Sequence, residues 1–116
     1  MVDIKTVLDS LNVELKPPRY LAKLDAKRMI VVGTALAAAG YAPRVTTRSS
    51  DGLTIEMSSL APSGLYCFRF IARGAGEAEK LRSELEMAIY MALLRRRCEQ
   101  AQQTVLPGFD ELVKEA

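Results

Sequence analysis

Histidine does not occur in this chain of 116 residues, and its absence removes much of the common catalytic repertoire. Serine-histidine and cysteine-histidine nucleophiles, histidine-ligated metals and imidazole proton transfer are all excluded. Cysteine is nearly as scarce. Cys67 and Cys98 provide neither a disulfide framework nor zinc-ligand spacing, so both thiols are expected to be reduced, in a cytoplasmic protein with no metal or cofactor. No apolar run approaches the roughly 20 residues that cross a bilayer. The N-terminus places Asp3 and Lys5 where a leader would need apolar residues, so neither secretion nor membrane anchoring is expected. Charge of one sign is also small in excess: the net value is +2, although arginine outnumbers lysine ten to six, so only clustered arginines carry information. Paired carboxylates are the remaining catalytic option. Glu77, Glu79, Glu84 and Glu86 all fall on one amphipathic helix, where solvated acidic residues are expected, and no enzymatic activity is read from them.

The composition that is present, 49% apolar and 26% charged, is that of an ordinary folded chain. It predicts one domain over residues 1–103 and a tail over 104–116. Ile4, Val7, Leu8 and Leu11 recur at helical spacing behind Asp3, a suitable cap for a short helix. Residues 13–16 alternate and predict a strand, after which Pro17 and Pro18 stop regular structure. The next helix begins near Arg19 or with Asp25 as its cap. From Met29 to Ala39 nearly every residue is small or aliphatic, which suits a buried helix ended by Gly40 in the left-handed region, although residues 29–32 also suit a strand.

Three strands follow between residues 44 and 71, joined by a tight turn at Ser50, Asp51 and Gly52 and a longer one over residues 61–64. Alternation sorts them by face. Val45, Thr47, Leu53, Ile55, Met57, Tyr66, Phe68 and Phe70 form a core side; Arg44, Thr46, Arg48, Thr54, Glu56, Ser58 and Arg69 form the other. A long helix is predicted over 77–103, after the break at Gly74 and Gly76. The expected fold is therefore α+β: an antiparallel meander of three or four strands with helices on one face and a long C-terminal helix.

That last helix carries two apolar stripes. Leu81, Leu85, Ala88 and Ala92 make one, expected against the sheet. Met87, Met91, Leu94, Cys98, Ala101 and Val105 follow the alternating four-three spacing of a helix seam, expected against a second copy in a homodimer or homotetramer. The alternative is a single wide stripe sunk in a monomer core. Arg95, Arg96 and Arg97 suit the helix dipole near its C-terminus.

On the open sheet side Arg44, Arg48 and Arg69 suit phosphate oxygens, with Thr46 between them, Arg73 just beyond the third strand and Tyr41 at an edge for base stacking. The competing reading is a solvated face whose arginines pair with Glu56. The aromatics Tyr66, Phe68 and Phe70 share the register of the apolar positions and are assigned to the core. At the C-terminus, Gln103, Leu106 and Phe109 resemble the sliding-clamp interaction peptide, with Asp110 where a second aromatic is usual.

A small basic meander sheet backed by helices and followed by a long oligomerising helix is similar to the ThermoDBP-related single-stranded DNA-binding proteins of hyperthermophilic archaea. The likeness is one of organisation and aligns no diagnostic residue. It implies an archaeal, cytoplasmic protein holding single-stranded DNA or RNA in an arginine-lined groove between subunits. A double-stranded-RNA-binding domain has a comparable element order, but Glu77 and Glu79 occupy the place of its basic helix start. The rival expectation is a non-enzymatic adaptor whose helix and tail bind proteins.

Overall fold

The computed structural model describes residues 2–15 and 19–103. Asp3 caps α1 (Ile4–Ser10), its carboxylate accepting from the Lys5 N–H, and Ile4 and Leu8 are buried. Asp25 caps α2 (Ala26–Ala38), accepting the Arg28 N–H at 2.8 Å. Residues 29–32 are helical, because Met29, Val32, Gly33, Leu36 and Ala37 recur on the buried side of that helix. Gly40, at φ +99°, ends it as expected.

The remaining strands are β1 (Tyr20–Lys23), β2 (Arg44–Thr47), β3 (Thr54–Ala61) and β4 (Gly64–Ile71). Their spatial order is β1-β4-β3-β2. Two antiparallel hairpins make up β2, β3 and β4, but β1 lies parallel to β4, with Tyr20 beside Tyr66 and Lys23 beside Arg69. The sheet is therefore mixed, which corrects the expected all-antiparallel meander. The fourth strand is residues 20–23 rather than 13–16; among the described residues 13–15 have no regular structure, and the Val13 N–H closes onto the Leu8 carbonyl at 2.9 Å. Four residues that follow Pro17, Pro18 and Arg19 show too little periodicity to predict a strand, yet the exposed flank of β4 supplies the backbone partners that hold them there. The turn between β3 and β4 is shorter than expected, only Pro62 and Ser63, with Ala61 paired to Gly64 at φ +141°.

At the other hairpin Asp51 organises the turn. Its Oδ1 accepts the N–H groups of Leu53 and Thr54 at 2.9 and 3.1 Å, and its Oδ2 accepts the Thr54 hydroxyl at 2.8 Å. These bonds, the Leu53 N–H first, hold the carboxyl below its ordinary range.

The three helices of the described residues lie on one side of the sheet. Ile55, Met57, Tyr66 and Phe68 meet Ile4, Leu8, Met29, Val32 and Leu36, together with Ala78, Leu81, Leu85 and Ile89 of α3 (Ala75–Gln103). That helix begins at Ala75, two residues earlier than expected, with Gly76 inside its first turn. Its 29 residues span about 43 Å at 1.5 Å per residue, most of the 55 Å length of the molecule. α2 and α3 approach at Gly33, where an added Cβ would stand 2.9 Å from Leu85 Cδ1 and 3.0 Å from Met57 Sδ. The tail at 104–116, with Leu106 and Phe109 of the clamp-like motif and Val105 of the seam, lies outside the described residues, as do the side chains of residues 102 and 103.

Gly33→Ala is expected to destabilise the fold in urea. The helix-propensity gain is about 1 kcal/mol, whereas overpacking a core costs about 1–3 kcal/mol, and the ends of Leu85 and Met57, both fully buried, must shift to make room. An unchanged or raised urea midpoint would show that the contact relaxes. Asp51→Ala is expected to lower the melting temperature at pH 7. Because the folded carboxyl titrates below the unfolded one, the stabilisation is complete above about pH 4. It is lost as pH falls through the folded value, so wild-type and variant melting curves should converge there.

Candidate nucleic-acid interface

Pairing across the ladders fixes which side chains share the open face. One row runs Lys23, Arg69, Glu56, Thr46 from β1 to β2; the next runs Leu21, Cys67, Ser58, Arg44. Beyond it Leu65 lies opposite Leu60, the two 54% and 77% exposed. On the other flank the Arg48 N–H donates to the Thr54 carbonyl, carrying β2 one residue past its ladder. Arg19 precedes β1 and joins Leu21, Leu65, Cys67 and Arg69 around an open cleft of about 460 Å³. Among the described residues no helix covers this face.

The charges are unevenly spent. Glu56 Oε1 accepts from Arg48 Nη2 at 2.7 Å and stands 3.2 Å from Arg69 Nη2, so one carboxylate partly neutralises two guanidiniums. Both pairs are partly solvated, which limits what each contributes to stability. Arg69 Nε is shielded from water and has no hydrogen-bond partner among the described residues. Arg44 is exposed and makes no ion pair among the described residues, and Arg19 and Lys23 are exposed as well. Among the described residues five cations and one carboxylate thus occupy the open face, with an apolar end at Leu21, Leu60 and Leu65. Burial pushes the Cys67 thiol up, and the neighbouring Glu56 adds to this while Arg69 opposes it. A thiol held protonated is a poor nucleophile. Among the described residues no three His, Cys, Asp or Glu side chains converge as metal ligands, and no helix is long and apolar enough to cross a membrane.

No protein-family model, curated protein or solved structure matches the chain. The site therefore rests on its own geometry. Arg44, Arg48 and Arg69 lie on one face of the sheet, with Arg48 and Arg69 joined through Glu56, and exposed Thr46 stands beside Glu56. Arg73 is exposed on the connection from β4 to α3. Tyr41 is elsewhere: it is buried, and its hydroxyl donates to the Val2 carbonyl at 2.7 Å, which anchors the chain start and leaves no ring to stack on a base. Tyr20 likewise stacks on Tyr66, with centroids 4.4 Å apart. Arg19 and Lys23 were not found by sequence reasoning because β1 itself was not: Tyr20, Leu21 and Ala22 are all apolar, so the alternation of buried and exposed positions appears only in the fold.

Two other arginines serve the fold. Arg28 Nη2 donates to the Leu11 and Asn12 carbonyls at the end of α1, and Arg96 Nη1 donates to the Ala38 carbonyl at the end of α2 at 3.0 Å. Arg96 is thus not a dipole partner of its own helix, which runs on to Gln103; it caps another. Arg96→Ala is expected to cost about 1 kcal/mol in urea unfolding, and Lys80→Ala, at an exposed position of the same helix, close to nothing; equal effects would refute the cap.

Proposed function

We propose that this chain binds single-stranded nucleic acid, DNA or RNA, along its phosphate backbone across the open sheet face, as a homo-oligomer and without catalysing a reaction. The observation that carries this reading is the ratio, among the described residues, of five cations, Arg19, Lys23, Arg44, Arg48 and Arg69, to one carboxylate on a sheet face that no described helix covers. Guanidiniums take phosphate oxygens in paired hydrogen bonds and release counterions as they do so. The adjoining leucines favour a single strand over a duplex, because an unpaired base can lay its flat face on Leu21, Leu60 or Leu65, whereas paired bases stay stacked inside the helix. Thr46 and Ser58 offer hydroxyls between the cations, and Arg73 extends the positive surface beyond β4.

The same leucines also support a second reading, a protein adaptor that docks a partner on the sheet and, through Gln103, Leu106 and Phe109, a sliding clamp. The two readings differ in salt dependence. Anisotropy with labelled single-stranded and duplex oligonucleotides is expected to show single-strand binding that weakens steeply with salt. Replacing Arg44, Arg48 and Arg69 by Ala should reduce the slope of log affinity against log salt by about 2. Glu56→Gln should move affinity the opposite way, because it frees Arg48 and Arg69 for phosphate. No binding at low salt, or an affinity indifferent to all these changes, overturns the nucleic-acid reading and leaves the adaptor.

A further inference from the structure

α3 has a second apolar side that no core contact covers among the described residues. Ala78, Leu81, Leu85 and Ile89 are buried in the core, while Met87, Tyr90, Met91 and Leu94 are exposed and Cys98 continues their row. At about 100° per residue the two sets lie on opposite sides of the helix. Four large apolar side chains in one continuous row mark an interaction surface. The charges beside the row are ordered. Glu84 and Arg95, three turns apart, border it on the side of α2, where Met91 and Arg95 share a groove with Thr34 and Ala38. Glu86 and Arg97, also three turns apart, border it on the side of β2, where Glu86 and Tyr90 share a groove with Pro43 and Val45. Arg96, between the two outward arginines, is held inward on Ala38.

We propose that this face is self-complementary and pairs antiparallel with a second copy of the chain, about a two-fold axis beside Tyr90 and Met91. The charge order selects that arrangement. A two-fold axis perpendicular to the helices keeps each flank on its own side, so Glu84 faces Arg95 of the partner subunit and Glu86 faces Arg97 of the partner subunit. Glu86 already pairs with Arg82 in its own helix at 3.2 Å and is shared with the new cation. In a parallel pair the flanks exchange, setting Glu84 against Glu86 and Arg95 against Arg97, which is repulsive at both ends. The antiparallel pair places Met87 against Leu94 and buries Tyr90 and Met91 at the centre. It also leaves both sheet faces on the outside, pointing away from one another, so each dimer presents two separate cationic surfaces rather than one groove between subunits.

The inference rests on the self-association in the proposed function and is independent of what the sheet binds. Its test separates the two. Light scattering of the full chain at micromolar concentration is expected to give the mass of a dimer, and Met91→Asp with Leu94→Asp the mass of a folded monomer by circular dichroism. Glu84→Arg with Glu86→Arg should weaken the dimer about tenfold, and adding Arg95→Glu with Arg97→Glu should restore it. In a Cys67→Ser background, oxidation should leave Cys98 unlinked, because antiparallel pairing holds its two copies many residues apart. Adding Ser83→Cys should create a rapid cross-link to Cys98. A monomeric wild-type mass overturns self-association altogether; a dimer in which Cys98 links to itself, or in which the restoring charge swap fails, overturns the antiparallel geometry alone.

Discussion

The close approach at Gly33 is the contact on which the arrangement of the other elements depends. A hydrogen in place of a side chain lets Leu85 and Ile89 of α3 and Met57 of β3 converge on one point of α2. Because a packed interior tolerates little change in volume, that convergence sets the rotation of α3 about its own axis. The rotation decides which stripe of the helix is buried and which is presented outward. It also places Arg96 over Gly40 and within reach of the Ala38 carbonyl, so the C-terminus of α2 is capped from a helix 58 residues away in sequence.

The ten arginines look alike in sequence and are divided among distinct tasks by the fold. Arg28 and Arg96 satisfy carbonyls that helix ends leave without partners. Arg82 pairs along its own helix. Arg48 and Arg69 share Glu56 on the open sheet, whereas Arg44 and Arg19 remain unpaired there among the described residues. Net charge conveys none of this, since a single carboxylate between two guanidiniums removes much of their field while leaving their donors in place.

Periodicity was sufficient to read the helices, the two hairpins and the alternation that separates core from open face. Asp3 and Asp25 as caps, Gly40 as terminator and the Asp51 turn were legible for the same reason: each acts through bonds to residues within a few positions. The core residues Ile55, Met57, Tyr66 and Phe68 were legible because a strand with one wet face must alternate. β1 was not legible. Its four residues have little local signal, and what holds them is the free flank of β4, more than forty positions away. With β1 missing, Arg19 and Lys23 were missing from the site, and the sheet was read as purely antiparallel.

Tyr41 shows the same boundary from the other side. An aromatic residue after a helix-ending glycine suits a base platform as well as a core, and only the position of the Val2 carbonyl settles that its hydroxyl is spent internally. Local sequence thus decided which segments are helices and strands and which faces are apolar, since those depend on spacing and on short-range hydrogen bonds. Tertiary structure alone decided the parallel edge strand and the division of the arginines, because each depends on groups brought together from distant parts of the chain.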